Sequence, residues 1–268
     1  ITQDIGTAFL RYKDHPKMDG MIYTTGNEQD YHFKVLFKIL KKLDYKWADE
    51  CYHLSYGMVD LPDGKMKSRE GKVVDADDLV NHMIETAKTR TSDLGKVDDF
   101  DVENLDELYR IIALGALKYF LLKVDPKKKM LFNPDESIDF NGNTGPFIQY
   151  TYARIKSILR RANKLEISYN NFDINKMKEL SIHHKKIINH LNSFPDIIKT
   201  SAKTHSPSSI CQYVFDLSKL FNSFYQHEKI IDGNNNETTS FKIALSDLTA
   251  LTIIQSLELL GIDVPERM

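Results

Sequence analysis

Two stretches of the chain carry residue types and spacings that could do chemistry. The first is Asp63-Gly64-Lys65-Met66-Lys67-Ser68-Arg69-Glu70-Gly71-Lys72-Val73, where basic side chains and a hydroxyl lie between glycines. Lys65, Lys67 and Arg69 can donate charge-assisted hydrogen bonds to phosphate oxygens, and Ser68 adds a hydroxyl. Gly64 and Gly71 are hinge candidates that would let such a loop close over a triphosphate. An ordinary basic turn has the same composition, and the spacing is not that of a Walker loop.

The second stretch runs from Asp139 through Gly142-Asn143-Thr144-Gly145-Pro146 to Ile155. Pro146 suits the opening of a helix. Phe147, Tyr150 and Arg154 then fall at i, i+3 and i+7, on one face. Two rings and a guanidinium could form a stacking platform for unstacked RNA bases. An aromatic stripe at this spacing packs equally well into a core. The nearby Lys156, Arg160, Arg161 and Lys164 bring the two readings level.

Charge makes the same region a candidate for a polyanion partner, although charge alone favours a solvated helix face. Residues 151–230 carry 13 Lys+Arg against 6 Asp+Glu, while residues 1–150 carry 21 against 26 and residues 231–268 carry 2 against 6. A basic block in a chain of net charge −2 is the footprint that nucleic-acid binding leaves, although a solvated lysine-rich face leaves it too. Hydrophobic content of 41% over 268 residues builds a real core and excludes a disordered chain. No apolar run is long enough for a membrane helix. Cys51 and Cys211 match no metal-ligand spacing and no disulfide scaffold, which fits a reducing cytoplasm. No cluster for a metal is visible, and His183-His184 and Lys127-Lys128-Lys129 read as solvated surface.

The elements that must position these residues change character along the chain. Ile5, Phe9 and Tyr12 recur at helical spacing behind the N-cap candidates Thr2 and Asp4. Met21–Thr24 reads as a strand, Tyr31–Leu43 as a helix with Leu36, Ile39, Leu40 and Leu43 inward, and Cys51–Val59 as extended. This β–α–β order predicts part of a parallel sheet. Leu61-Pro62-Asp63-Gly64 is a turn, and a helix from Asp75 carries Leu79, Met83 and Ala87. Beyond residue 90 the pattern is helical: 105–122, 147–164, about 174–193, about 207–228 and 239–261. The connection 132–145, with Asn133-Pro134 and Asn141-Gly142, marks a seam. The fold class is therefore α/β followed by all-α.

At this point the residues resemble a family. Gly142-Asn143-Thr144-Gly145-Pro146-Phe147-Ile148-Gln149-Tyr150, continuing to Ala153-Arg154-Ile155, is similar to the signature that opens the helical anticodon-binding domain of arginyl-tRNA synthetases. The ending Pro265-Glu266-Arg267-Met268 resembles that family's Pro-x-Arg-Met terminus. Thr2-Gln3-Asp4-Ile5 resembles its Thr-Arg-Asp-Ile segment with Gln3 replacing Arg, and Gln29 and His32 match a further pattern. Four matches in order cover essentially the whole chain.

The resemblance implies a class I aminoacyl-tRNA synthetase specific for arginine. Its parts would be a partial Rossmann-type catalytic domain at 1–90, a connecting region at 91–144, and an anticodon-binding helical bundle at 145–268. Asp4, Gln29 and His32 would attend the substrate arginine, and the backbone at Gly57 and Met58, with Gly71, would serve ATP. Lys65, Lys67, Ser68 and Arg69 would stand for the class Lys-Met-Ser-Lys-Ser loop. Lys65-Met66 fit its first two positions, and Lys67-Ser68 fit its last two only with one residue deleted. Phe147, Tyr150 and Arg154 would contact the anticodon loop, with Arg267 and Met268 closing against them. ATP with Mg2+, L-arginine and arginine tRNA would be the ligands of a cytoplasmic monomer. The class His-x-Gly-His motif is not among the 268 residues, so the chain reads as a piece of something longer, inactive in adenylation by itself. Rival readings are an RNA-binding module without amino-acid chemistry, a helical scaffold, and a cysteine- or glycine-specific relative.

Overall fold

The computed structural model describes residues 1–60, 75–93, 102–169, 172–173, 175, 179–232 and 236–268. Two compact units divide the chain: Ile1–Lys65 with Val124–Leu131, and Met66–Lys123 with Phe132–Met268.

The first unit is built on a parallel pair. Helix α1 (Thr2–Asp14) precedes β1 (Met21–Gly26), a 3₁₀ turn (Asn27–Gln29) and α2 (Asp30–Lys42). A second 3₁₀ turn (Lys46–Glu50) leads into β2 (Cys51–Tyr56), which pairs parallel to β1 from Met21↔Cys51 to Gly26↔Tyr56. A helical crossover is what parallel pairing requires, so the β–α–β expectation is met. Phe33, Leu36 and Leu40 of α2 are buried against Ala8, Met21 and Ala48, whereas Leu43, expected inward, is 51% exposed just past the helix end. A short second pair joins β3 (Val59–Asp60) to β4 (Met130–Leu131), again parallel. The expectation that Thr2 or Asp4 caps α1 is corrected. The amide of Ile5 bonds the carbonyl of Ile1 at 3.0 Å, so the helix has already started and Asp4 lies inside its first turn.

The second unit is helical. It comprises α3 (Ala76–Asp93), α4 (Val102–Leu122), the single turn α5 (Pro134–Ser137), α6 (Gly145–Lys164), α7 (Ile182–Asn192), α8 (Phe194–Thr204), α9 (Ser208–His227) and α10 (Asn236–Leu259). Its core gathers Tyr119 of α4, Ile148, Tyr152 and Ile155 of α6, Ile187 of α7, Val214, Leu217, Phe221 and Phe224 of α9, and Ile253 and Leu257 of α10. Helix α10 packs against α6, α7 and α9. Its buried hydroxyls Ser246, Thr249, Thr252 and Ser256 bond their own carbonyls four residues back, so they enter the core without orphaned donors.

Two sequence expectations change here. Helix α8 falls between the helices expected at about 174–193 and about 207–228; its Pro195 sits in the first turn, where a missing N–H costs nothing. Helix α7 begins at Ile182 rather than near 174, because Ser181 caps it by accepting the amide of His184 at 3.2 Å. The same motif corrects the surface reading of His184, which is buried and returns a bond to the Ser181 amide through Nδ1.

Candidate functional site

In the first unit the parallel strands fix where a small ligand could sit. Sites in open α/β sheets lie outside the carboxyl ends of the strands. Here β1 ends at Gly26, the 27–29 turn follows, and α2 starts with its N-terminus at that edge. Asp4 and His32 meet there, with Oδ2 3.0 Å from Nε2, and the Ile1 amine lies 3.1 Å from the same oxygen. Gln29 is exposed at the end of the turn. Geometry therefore brings Asp4 and His32 together over 28 residues of sequence, a pairing that spacing does not show.

His53 is a neighbour the sequence reading missed. Its Nε2 lies 2.8 Å from Thr25 Oγ1, its Nδ1 3.4 Å from Asp30 Oδ1, and its ring stacks on Phe33 at 4.5 Å. It thus ties the end of β1 to the start of α2 and fixes the turn that carries Gln29. The available signal was alternation along β2, which puts His53 on the face of Cys51 and Ser55, but its partners depend on register.

Gly57 and Met58 lie between β2 and β3. The Gly57 amide donates to the Pro126 carbonyl at 2.7 Å, and the Met58 carbonyl accepts from the Met130 amide at 3.2 Å. Any Cβ at position 57 would overlap the Lys128 carbonyl, so only glycine lets the two segments approach. Lys65, Lys67, Ser68, Arg69 and Gly71, and the 61–64 turn, lie outside the described residues.

In the helical unit the Gly142–Tyr150 stretch is chiefly a clamp. Thr144 caps α6 by accepting the Phe147 amide at 3.3 Å. The Asn143 side chain lies 2.7 Å from the hydroxyl of buried Tyr119, which burial keeps protonated well above the ordinary phenol range. Gln149, fully buried, donates to the carbonyls of Ile111 (3.1 Å) and Asp263 (2.8 Å), joining α6 to α4 and to the C-terminal tail. Burial also pushes the Cys211 thiol up to about 12, which leaves it no nucleophile at neutral pH.

The outward face of α6 is different. Phe147, Tyr150 and Arg154 are all half-buried. Phe147 leans on Phe215 at 5.5 Å and supports the face from below. The Arg154 guanidinium lies 4.9 Å from the Tyr150 ring centre and 5.0 Å from that of Tyr225 on α9, and donates to Asn222. Asn222 in turn donates to Thr151 at 2.9 Å. The result is an aromatic–guanidinium–aromatic stack whose outer ring, Tyr225, is 44% exposed. Tyr225 and Asn222 escaped the sequence reading because they come from another helix.

The tail takes the other side of α6. Gln149 holds Asp263, the Arg160 guanidinium donates to the Glu266 carbonyl at 3.0 Å, and Lys156 pairs with the Glu266 carboxylate at 2.9 Å. At 100° per residue, Gln149, Lys156 and Arg160 centre about 130° around the helix from Phe147, Tyr150 and Arg154, with Tyr150 nearest the tail side. The structure thus joins Tyr150 to Arg154, and it holds the tail at Glu266, beside Arg267, through Lys156 and Arg160.

Comparison with known proteins accounts for both parts. Residues 1–133 match the family described as tRNA synthetases class I (R), catalytic domain, and residues 148–268 match the DALR anticodon binding domain. The chain belongs to the arginyl-tRNA synthetase family. It is 55% identical to the arginine–tRNA ligase of Flavobacterium psychrophilum and 52% identical to that of Bacteroides fragilis, with all of this chain aligned to 44% and 45% of theirs. The chain therefore spans under half the length of these relatives. Among solved structures, Thermus thermophilus arginyl-tRNA synthetase superposes with a TM-score of 0.83 at 25% identity over 94% of this chain and 42% of that one. The Plasmodium falciparum arginyl-tRNA synthetase gives 0.78 at 26% identity over 99% and 44%. Part of a class I catalytic domain followed by a helical DALR domain is thus the architecture of this chain. Among the described residues no group of three or more His, Cys, Asp or Glu could hold a metal, and no described helix is long and apolar enough to cross a membrane.

Proposed function

We propose that this chain supplies part of an arginine–tRNA ligase: one side of the site that activates L-arginine with ATP, and the domain that reads the anticodon loop of arginine tRNA. The observation that carries the reading is the joint presence of the Asp4–His32 pair at the sheet edge and the Tyr150–Arg154–Tyr225 stack on the bundle. Boundaries at 1–90, 91–144 and 145–268 are our division of the work, in a cytoplasmic monomer.

Activation is an in-line attack of the arginine carboxylate on the α-phosphate. It needs positioning and stabilisation of developing phosphoryl charge. Asp4 accepts the substrate guanidinium, His32 holds the Asp4 carboxylate in place, and Gln29 adds a hydrogen bond. Gly57, Met58 and Gly71 serve the nucleotide, and Lys65, Lys67, Ser68 and Arg69 its phosphates. Mg2+ enters with ATP as part of the substrate. The other half of the class I clamp, His-x-Gly-His, is not among these 268 residues. The purified chain is therefore expected to give no arginine-dependent ATP–pyrophosphate exchange above a Lys65→Ala/Lys67→Ala control; exchange above that control sinks this part.

On the bundle, anticodon-loop bases stack on Tyr150 and Tyr225 with Arg154 between them and Phe147 beneath, while Arg267 and Met268 contact the loop from the tail. Tyr150→Ala is expected to weaken binding of arginine tRNA by about 1–3 kcal/mol, the worth of one stacked base. Gel-shift titration against arginine tRNA and an anticodon-swapped tRNA checks it. Equal affinity for both, untouched by Tyr150→Ala, removes the base-reading role.

A further inference from the structure

The three consecutive lysines at 127–129 are all exposed, and among the described residues none is paired with a carboxylate. Three like charges in one turn repel one another, so their juxtaposition asks for a reason. The turn itself is firmly built. The Lys127 amide bonds Asp125 Oδ1 at 3.0 Å and the Lys128 amide bonds the Asp125 carbonyl at 2.9 Å. Pro126 accepts the Gly57 amide, and Met130 donates to Met58, so the turn is seated on the segment that follows β2. Lys127 Nζ lies 5.9 Å from the centre of the Tyr52 ring. The seat presents the ammonium groups outward from a stretch that is net acidic overall.

We propose that Lys127, Lys128 and Lys129 form a contact turn for the phosphate backbone of RNA, an inference that rests on the tRNA-binding reading above. The backbone decides between two sources of phosphate. A nucleotide triphosphate is cradled by converging main-chain N–H groups. Here the amides of Lys127, Lys128 and Met130 are spent on Asp125 and Met58, so the turn offers no run of converging N–H groups beside its long, exposed side chains. Such side chains suit a succession of phosphates spread along a strand, with each contact releasing counterions. The competing explanation is that the lysines merely blunt the edge beside β4.

Anisotropy titration of labelled arginine tRNA with the 268-residue chain, across a series of salt concentrations, separates these. Lys127→Ala/Lys128→Ala/Lys129→Ala is expected to flatten the slope of log K against log salt by about 2–3 and to weaken binding at low salt on the order of tenfold or more. The loss is the same for an anticodon-swapped tRNA, and the triple Lys→Arg variant keeps the parent slope. An unchanged slope in an alanine variant with parental circular dichroism overturns the proposal while Tyr150→Ala still tests base reading separately. Removal of the lysine-dependent component by saturating ATP assigns the turn to nucleotide phosphate and also overturns it. No tRNA binding by the parent chain overturns both readings together.

Discussion

Replacing Glu228 with alanine is expected to cost the helical unit about 3–5 kcal/mol, because it strands charge inside the bundle. Glu228 follows α9 and is mostly buried. It accepts the Ser181 hydroxyl at 2.5 Å and pairs with Lys242 Nζ at 2.9 Å, and His184 Nε2 lies 3.1 Å away without hydrogen-bond alignment. One carboxylate thus joins the start of α7, the end of α9 and α10. Lys242 is itself only 13% exposed, so the alanine variant leaves an ammonium poorly solvated and unpaired. Denaturant midpoints followed by circular dichroism measure the loss. Glu228→Gln with Lys242→Met should recover part of it, since no unpaired charge then remains. A Glu228→Ala midpoint equal to the parent's would sink the argument.

The same cluster predicts the direction of the pH dependence. Ser181 donates its amide to His184 Nδ1, which makes that nitrogen an acceptor and leaves the ring proton on Nε2, facing Glu228. Burial holds the His184 pKa below the ordinary 6.5, outweighing the pull of Glu228. For Glu228 burial alone would raise the pKa, but the bonds from Ser181 and Lys242 win and hold it below 4.5. Both folded values are depressed, so both contributions are complete above the unfolded values. The His184 contribution is lost as pH falls below about 6.5, and that of Glu228 follows below about 4.5. Protonating His184 also removes the acceptor in the α7 cap, so acid should loosen α7 first.

What the sequence shows and hides follows from the range of each interaction. The β–α–β order, α4 and α6 were legible because periodicity is local: of Leu105, Leu108, Ile112, Ala116 and Tyr119 in helical register, the last four are buried and Leu105 is half-buried. Pro146 and Pro195 occupy the same kind of position, yet only Pro146 is flanked by a motif that announces a helix. His183 and His184 look alike in sequence. Register alone buries one against Phe224 and Phe241 and stacks the other on His227. The Phe147–Tyr150–Arg154 face was legible as a face, but Tyr225, the second ring of its stack, lies 71 residues beyond Arg154 and only packing supplies it. His53 escaped for the same reason. The position of the C-terminal tail depended on Gln149, a polar residue that looks like part of a binding signature and is in fact buried.

That last point makes Gly145→Ala the sharpest test of what the Gly142–Tyr150 signature is for. A Cβ at position 145 would fall on the carbonyl of Gly115 in α4, well inside van der Waals contact, with backbone on both sides and no flexible group to yield. The helices must separate, and Gln149, which spans Ile111 and Asp263, separates with them. Overpacking of this kind is expected to cost about 3 kcal/mol, at the upper end of the usual range. At Gly115→Ala the nearest atoms are those of the Gln149 side chain rather than backbone, and losing its two hydrogen bonds, of about 1 kcal/mol each, should be milder. If the signature instead reads RNA directly, Gly145→Ala will lower anticodon preference while leaving the melting midpoint at the parent value. If it is a clamp, the midpoint falls and the fraction that remains folded keeps its preference, because the tail is gripped by Gln149, Lys156 and Arg160 and not by the Arg154 guanidinium that joins Tyr150 to Tyr225.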